Sequence, residues 1–246
     1  MTGFAYRLDP PDRPRLGLII LQADETIEGE FPALVEGRAA VHVSRVPSGR
    51  EVTRDTLSAM AGALPAAAGV FPEGARFDCI GYACTSGASV IGSARVAELI
   101  GAVAETRAVT DPVRALVAAC AALKVRRLAL LSPYVAEVSD GLRAVLADSG
   151  IETPVFGSFN VAEEAKVARI DAPSLMSAAC ALAQDSRVQA VVLSCTNLRT
   201  RDIVAEIEAR CGKPVLTSTQ ALAWHMARRA GLPALSSRYG RIMAQA

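Results

Sequence analysis

Two hundred and forty-six residues, 51% hydrophobic and 21% charged, suffice for one large domain or two small ones with a substantial core, and they exclude disorder. Twenty-six Lys and Arg against 25 Asp and Glu leave a net charge of +1, too balanced for a nucleic-acid or anionic-membrane binder. Apolar runs such as Leu16–Leu21 fall far short of the ~20 residues of a bilayer span, so neither nucleic acid nor membrane is an expected partner.

In chain order, Met1–Arg15 carries Asp9, Asp12 and three prolines where a secretory signal would place a basic stretch and an apolar run. A cytoplasmic address with reduced thiols is expected. Beyond it, short aliphatic runs predict strands at Leu16–Leu21, Val41–Val46 and Phe77–Ala83, followed by helices at Ala88–Glu105 and Asp111–Leu123. The second half predicts strands at Arg127–Leu131, Pro154–Phe159, Gln189–Ser194 and Pro214–Thr217. Between and after them fall helices at Ala136–Asp148, Ala172–Asp185, Asp202–Cys211 and Gln220–Ala230. The alternation predicts an α/β fold with mainly parallel sheets. The strands at Leu16, Val41 and Phe77 recur at Arg127, Pro154 and Gln189, an offset of about 111 residues that reads as a duplication. The expected organisation is two pseudo-symmetric flavodoxin-like halves, residues 1–110 and 111–225, enclosing a site between them. Residues 226–246 are expected to pack back on the first half.

Six cysteines lie far apart without the Cys-x-x-Cys or Cys/His spacings of tetrahedral zinc, and only His42 and His225 could add imidazole. Neither a metal nor a histidine-assisted nucleophile is expected, and the lack of a Gly-x-Gly-x-x-Gly or Walker A pattern leaves no nucleotide cofactor to expect. His225, next to Trp224, reads as a packing residue. Cys79, Cys120, Cys180 and Cys211 sit in apolar strands or helices and read as small hydrophobes. Cys84 and Cys195 differ. Each follows the third strand of its half, in Gly81-Tyr82-Ala83-Cys84-Thr85-Ser86-Gly87 and Val192-Leu193-Ser194-Cys195-Thr196-Asn197-Leu198. Carboxyl ends of parallel strands are where open sheets bind ligands. A cysteine opening a helix is expected to have a lowered thiol pKa, and Thr85, Ser86, Thr196 and Asn197 could cradle a carboxylate. One carboxylate or a small dicarboxylate would fit two such turns.

These two motifs resemble the Asp/Glu racemase superfamily, in the branch of maleate cis–trans isomerase and arylmalonate decarboxylase. Leu131-Ser132-Pro133-Tyr134, Lys213–Ser218 and Tyr239-Gly240-Arg241 support the resemblance, which spans most of the chain. It implies a cofactor-independent isomerase acting on a small carboxylate, with Cys84 attacking an alkene as thiolate and Cys195 exchanging the proton. In racemase-like members the two cysteines work from opposite faces of a Cα, so racemisation of an amino acid or an N-acetylated diamino acid, as in ectoine breakdown, stays open. So does a non-catalytic carboxylate-binding protein. Decarboxylase-like members carry glycine at the first cysteine, so Cys84 argues against simple decarboxylation. The resemblance further implies that Tyr134 and Asn160 hydrogen-bond the substrate. Self-association is left open.

Asp24 departs from the pattern, because maleate isomerase-like sequences carry asparagine after the first strand. Two like charges ~4 Å apart at an effective dielectric of about 20 cost on the order of 4 kcal/mol, so a carboxylate here opposes a dicarboxylate and suits an ammonium or hydroxyl. The plain alternative is that Asp24 caps the helix that follows.

Overall fold

A computed structural model describes residues 3–9 and 12–246. The chain begins with β1 (Arg15–Leu21), α1 (Ile27–Leu34), β2 (Ala40–Val46) and α2 (Arg54–Gly69). It continues through β3 (Cys79–Ala83), α3 (Thr85–Ile91), α4 (Ser93–Gly101), β4 (Val109–Thr110) and α5 (Pro112–Leu123). The second half comprises β5 (Arg127–Ser132), α6 (Ala136–Asp148), β6 (Glu152–Ser158), α7 (Glu164–Val167), α8 (Ala172–Ala183), β7 (Ala190–Leu193), α9 (Val204–Cys211), β8 (Val215–Thr217) and α10 (Ser218–Arg229). Two short 3-10 turns, Ser237–Tyr239 and Arg241–Ala244, follow α10.

The strands form two parallel four-stranded sheets, ordered β2-β1-β3-β4 and β6-β5-β7-β8. This repeated order, with connections by helices, is the flavodoxin-like arrangement expected of a duplicated chain. Both central strands of each sheet are buried along nearly their whole length and free of charged residues but for the Arg that opens β1 and β5, as parallel strands covered on two faces must be. Pairing of Ile20 with Ala83 aligns the ends of β1 and β3, so the turns bearing Asp24 and Cys84 leave the sheet side by side. Leu131 pairs with both Gly157 and Leu193, which brings the segments after β5, β6 and β7 to the corresponding edge of the second sheet.

Helix boundaries follow local chemistry. Asp111 accepts from the Val113 and Arg114 N–H groups and Pro112 opens α5, while Thr217 and Gln220 cap one another's backbone at the start of α10. The helix expected over Ala88–Glu105 is instead two, broken at Gly92, whose φ of 87° is accessible to glycine at little steric cost. Helices α1 and α2 lie outside the predicted set. Each contains a proline, Pro32 and Pro65, that disguises it as a loop in the sequence.

The halves are joined through buried groups. Helix α10 packs on α5, α1 and β3, and Met226 and Leu222 fill the space over Gly81. A Cβ at Gly81 would come within 2.4 Å of the Met226 sulfur, which explains glycine in a buried strand. The loops after β2 and β6 meet in an antiparallel bridge between Glu51 and Glu163, with Val52 N–H donating to Ala162 O and Glu164 N–H to Arg50 O.

Glu30 on α1 provides a third link, its Oε1 accepting from the Thr200 and Arg201 N–H groups at 3.0 and 3.2 Å, while Oε2 is buried without a partner. Burial pushes this carboxyl from 4.5 up to about 7 against those two donors. Its raised value means that the associated stability is full below pH 4.5 and is lost as pH rises through about 7. Glu30→Gln keeps an acceptor for the two N–H groups and removes the titration. Wild type is therefore expected to lose about 3 kcal/mol of unfolding free energy relative to this variant as pH rises across that window, measured by urea denaturation. Parallel pH profiles for the two proteins would refute it.

Candidate active site

Cys84, Thr85, Ser86, Tyr134, Cys195, Thr196, Asn197 and Asp24 line one cavity between the two sheet edges, together with Leu21 and Glu164. Eight of the nine residues expected at the site are thus brought together. The cavity measures about 10 Å³, room for a single water-sized body, and its lining residues are buried apart from the half-buried Ser86. A separate, larger groove of about 610 Å³ is lined by Val52, Arg54, Leu57, Val90, Val135 and Glu137 among others. That groove holds neither cysteine, so the reacting sulfurs lie in the small cavity, which has to widen to admit anything larger than a water.

The two cysteines have matching surroundings. Cys84 precedes α3 and its Sγ accepts from Gly87 N–H at 3.2 Å, whereas Cys195 Sγ accepts from Asn197 N–H at 3.3 Å. The bridge between halves continues beside them: Thr196 Oγ1 donates to Ala83 O at 3.0 Å and Thr85 Oγ1 to Ser218 Oγ at 2.7 Å. These two hydroxyls fasten the sheets to each other.

Tyr134 leaves β5 and reaches Cys195, Oη to Sγ 3.0 Å, while donating its one hydrogen to Glu164 Oε1 at 2.9 Å. Toward Cys195 the phenol oxygen is then left as acceptor, which orients the thiol hydrogen along a chain Cys195, Tyr134, Glu164. Asn197 completes the network by donating from Nδ2 to Glu164 Oε2 at 2.9 Å and accepting Glu25 N–H on Oδ1 at 2.9 Å. Thr26 Oγ1 donates to its carbonyl at 3.0 Å.

Glu164 is the site residue that sequence reasoning misses. It lies in the segment after β6, on the same carboxyl edge as the cysteines, and the bridge to residues 50–52 turns it inward. Asn160, expected to hydrogen-bond substrate, is corrected by the structure: it is exposed and outside the cavity. Its left-handed backbone, φ 54°, and the bond from its N–H to Ser158 Oγ make it a turn residue. His225 is half-buried against Thr110, Nδ1 to Oγ1 2.8 Å, and lies in α10 away from the cavity.

Asp24 combines both readings of the sequence. Its Oδ1 accepts from Thr26 and Ile27 N–H at 2.8 and 2.9 Å, the cap of α1, while Oδ2 has no protein partner although the residue is only 3% exposed. Arg45 holds the turn from outside, donating from Nη1 to the carbonyls of Leu21, Gln22 and Asp24. Burial raises the Asp24 carboxyl, opposed by the Ile27 and Thr26 N–H groups. Burial likewise raises Glu164, opposed by Asn197 and Tyr134 and reinforced by the Asp24 charge.

The expected acidic thiol is not what this cavity produces. Burial pushes Cys84 up to about 12, outweighing the Gly87 N–H, and the Glu164 and Asp24 charges add to the rise. Cys195 is raised well above an ordinary thiol, first by burial and then by Glu164. Both cysteines are thiols near neutral pH. Among the described residues no three His, Cys, Asp or Glu side chains gather so as to hold a metal ion, and no helix is long and apolar enough to cross a membrane.

Together, the paired flavodoxin-like halves and their two facing cysteines define a class in which a small cavity between duplicated sheets carries thiol chemistry. Residues 73–243 match the family model described as arylmalonate decarboxylase, and the chain belongs to that family. Within it, the chain is 28% identical to the maleate isomerase of Pseudomonas putida over 94% of its own length and 98% of that protein's. It is 35% identical to the arylmalonate decarboxylase of Bordetella bronchiseptica over 45% of its own length and 46% of the decarboxylase. A variant of Nocardia farcinica maleate cis–trans isomerase, solved with a covalently bound succinylcysteine, superposes with a TM-score of 0.83 at 27% identity, covering 95% of this chain and 99% of that one.

The raised thiol makes alkylation the direct check on the electrostatics. Iodoacetamide labelling of Cys84, followed by mass spectrometry, is expected to accelerate about tenfold per pH unit from neutral pH upward without levelling off below about pH 10. A plateau near neutrality would reveal an acidic cysteine and contradict the effect of burial.

Proposed function

We propose that this protein is a cofactor-independent cis–trans isomerase of the maleate type, with Cys84 as nucleophile and Cys195 as proton donor and acceptor. The observation that carries the reading is the convergence of both cysteines on one cavity, with Cys195 tied to Tyr134 and Glu164. The Nocardia farcinica enzyme with its covalent succinylcysteine supports addition of a cysteine to the alkene.

The reaction balances in two halves. Cys84 passes its S–H proton to a carboxylate oxygen of the bound substrate and adds as thiolate to one alkene carbon, so the carbon–sulfur bond forms as the π bond breaks, the electron pair moves onto the neighbouring carbon and its carboxyl, and the passed proton returns to the sulfur when that bond later breaks. Cys195 delivers its proton to that carbon and becomes the thiolate. The former double bond is now single and rotates. Cys195 then removes the proton, the carbon–sulfur bond breaks with its electrons returning to Cys84, and the trans alkene leaves. Tyr134 is placed to accept the Cys195 hydrogen before transfer, and turning its own hydroxyl hydrogen from Glu164 to the sulfur would let it stabilise the thiolate after it. Asn197 and Thr196 support that geometry from the other side.

The working units are the halves 1–110 and 111–225, with residues 226–246 packed back on the first. The two separate sheets support the first division, and bonds from Ser236 N–H to Glu36 and from Arg38 to the Ala234 carbonyl support packing of the last segment on the first half, while its 3-10 turns also pack on α9, α10 and α5. A small carboxylate is the partner. The reducing cytoplasm is the compartment, in keeping with six free cysteines.

Two measurements test the reading. Proton NMR in heavy water with maleate is expected to show fumarate. Loss of an α-proton from an amino acid with maleate unchanged would replace the isomerase by a racemase. Cys195→Ser, mixed with maleate, is expected to accumulate one substrate mass on Cys84 with turnover lowered at least about 10²-fold, and Cys84→Ala is expected to form no adduct. Normal turnover in either variant would reject the paired mechanism.

A further inference from the structure

We propose that the site selects a cis-enoate with one carboxylate end and one carboxamide end, whose amide N–H donates to Asp24 Oδ2. The inference rests on the isomerase reading and narrows it from a dicarboxylate to a monoamide.

Three observations lead there. Asp24 Oδ2 is a buried acceptor without a protein partner in the wall of the cavity. Both oxygens of the other carboxyl, Glu164, are occupied by Tyr134 and Asn197, and the Thr196 hydroxyl, close enough to Asp24 to draw its pKa down, donates its one hydrogen to the Ala83 carbonyl, so Asp24 Oδ2 keeps an open acceptor site. Finally, two acidic side chains and no Lys, Arg or His line the cavity. A dianion would meet two buried carboxyls with only the Arg45 charge acting on Asp24 from outside the cavity, whereas a carboxamide presents donors to the unpaired oxygen and removes one negative charge. The alkene and the remaining carboxylate are unchanged, so addition of Cys84 and protonation by Cys195 proceed with the same bonds formed and broken.

Asp24→Asn is a matched probe. Asparagine caps helices as well as aspartate does, so its oxygen can keep the Thr26 and Ile27 N–H groups while its NH₂ replaces the free acceptor by a donor. The experiment is isothermal titration of Cys84→Ala, in which addition cannot occur, with maleamate, maleate and monomethyl maleate near neutral pH. Monomethyl maleate lacks both the charge and the donor at one end, and so separates charge relief from hydrogen bonding. Maleamate is expected to bind at least about tenfold more tightly than either of the others, and adding Asp24→Asn is expected to reverse the order of maleamate and maleate. Maleate binding as tightly as maleamate, monomethyl maleate matching maleamate, a ranking unmoved by Asp24→Asn, or no binding of any of the three would each overturn the assignment. Wild-type turnover of the same compounds, followed by NMR, reports separately on the isomerase. The expected affinity order without alkene isomerisation leaves the ligand class standing and removes the reaction, whereas isomerisation without that order does the reverse.

Discussion

Asn197 holds the molecule's chemistry in place, because a single buried amide connects both halves to the reacting sulfur. Its backbone N–H supports Cys195, its side chain holds Glu164 on one side and the Glu25 N–H on the other, and its carbonyl takes the Thr26 hydroxyl. Without Asn197 the buried Glu164 Oε2 and Thr26 hydroxyl would lose their partners, and an unsatisfied buried group costs about 1–3 kcal/mol. The relative position of the two sheets and the position of Glu164 are therefore decided together. Tyr134 follows, since its hydroxyl is held by Glu164, and Cys195 follows Tyr134.

Duplication supplies the frame on which this asymmetry is built. Cys84 and Cys195 occupy equivalent strand ends and each sulfur receives one backbone N–H. The turns after β1 and β5 are also equivalent, yet one presents the Asp24 carboxyl and the other the Tyr134 phenol. An acceptor on one side and a hydrogen-bonded phenol on the other give the cavity direction. Two sulfurs in otherwise similar settings can then take different parts, as the proposed mechanism requires, with Cys195 tied into the chain through Tyr134 to Glu164 and Cys84 outside it.

Much of this was legible in the residues. Aliphatic runs at a constant offset located the sheets, and placement of Cys84 and Cys195 just past strands located the cavity. The electrostatics of the thiols was not legible. A cysteine beside a helix start suggests an acidic thiol, but the sign is set by how completely the cavity closes around it, and here burial prevails over the Gly87 N–H. Helices α1 and α2 were hidden by Pro32 and Pro65, since local punctuation does not record the packing that makes Phe31, Leu57 and Leu64 buried. Glu164 was hidden for a different reason. Its inward direction depends on the bridge from Glu51 to Glu163, a pairing of loops more than a hundred residues apart, whereas Asn160 beside it turns outward on its own left-handed backbone.

The four acidic groups of the cavity cannot be considered one at a time. The charges of Asp24 and Glu164 both raise Cys84 and Cys195, and the Asp24 charge raises Glu164, so removing a proton from any one makes the next harder to remove. The donors present are unevenly shared: Glu164 has two side-chain partners, Asp24 Oδ2 none, and each sulfur one backbone N–H with a tyrosine hydroxyl beside it, Tyr82 for Cys84 and Tyr134 for Cys195. A thiolate at Cys84 is therefore easiest to form once something answers the Asp24 oxygen, because a partner there reduces the negative potential that the sulfur faces. On the isomerase reading proposed above, binding and activation of Cys84 would then be one event, because a cavity whose burial raises both thiols holds back a reactive thiolate until a ligand enters.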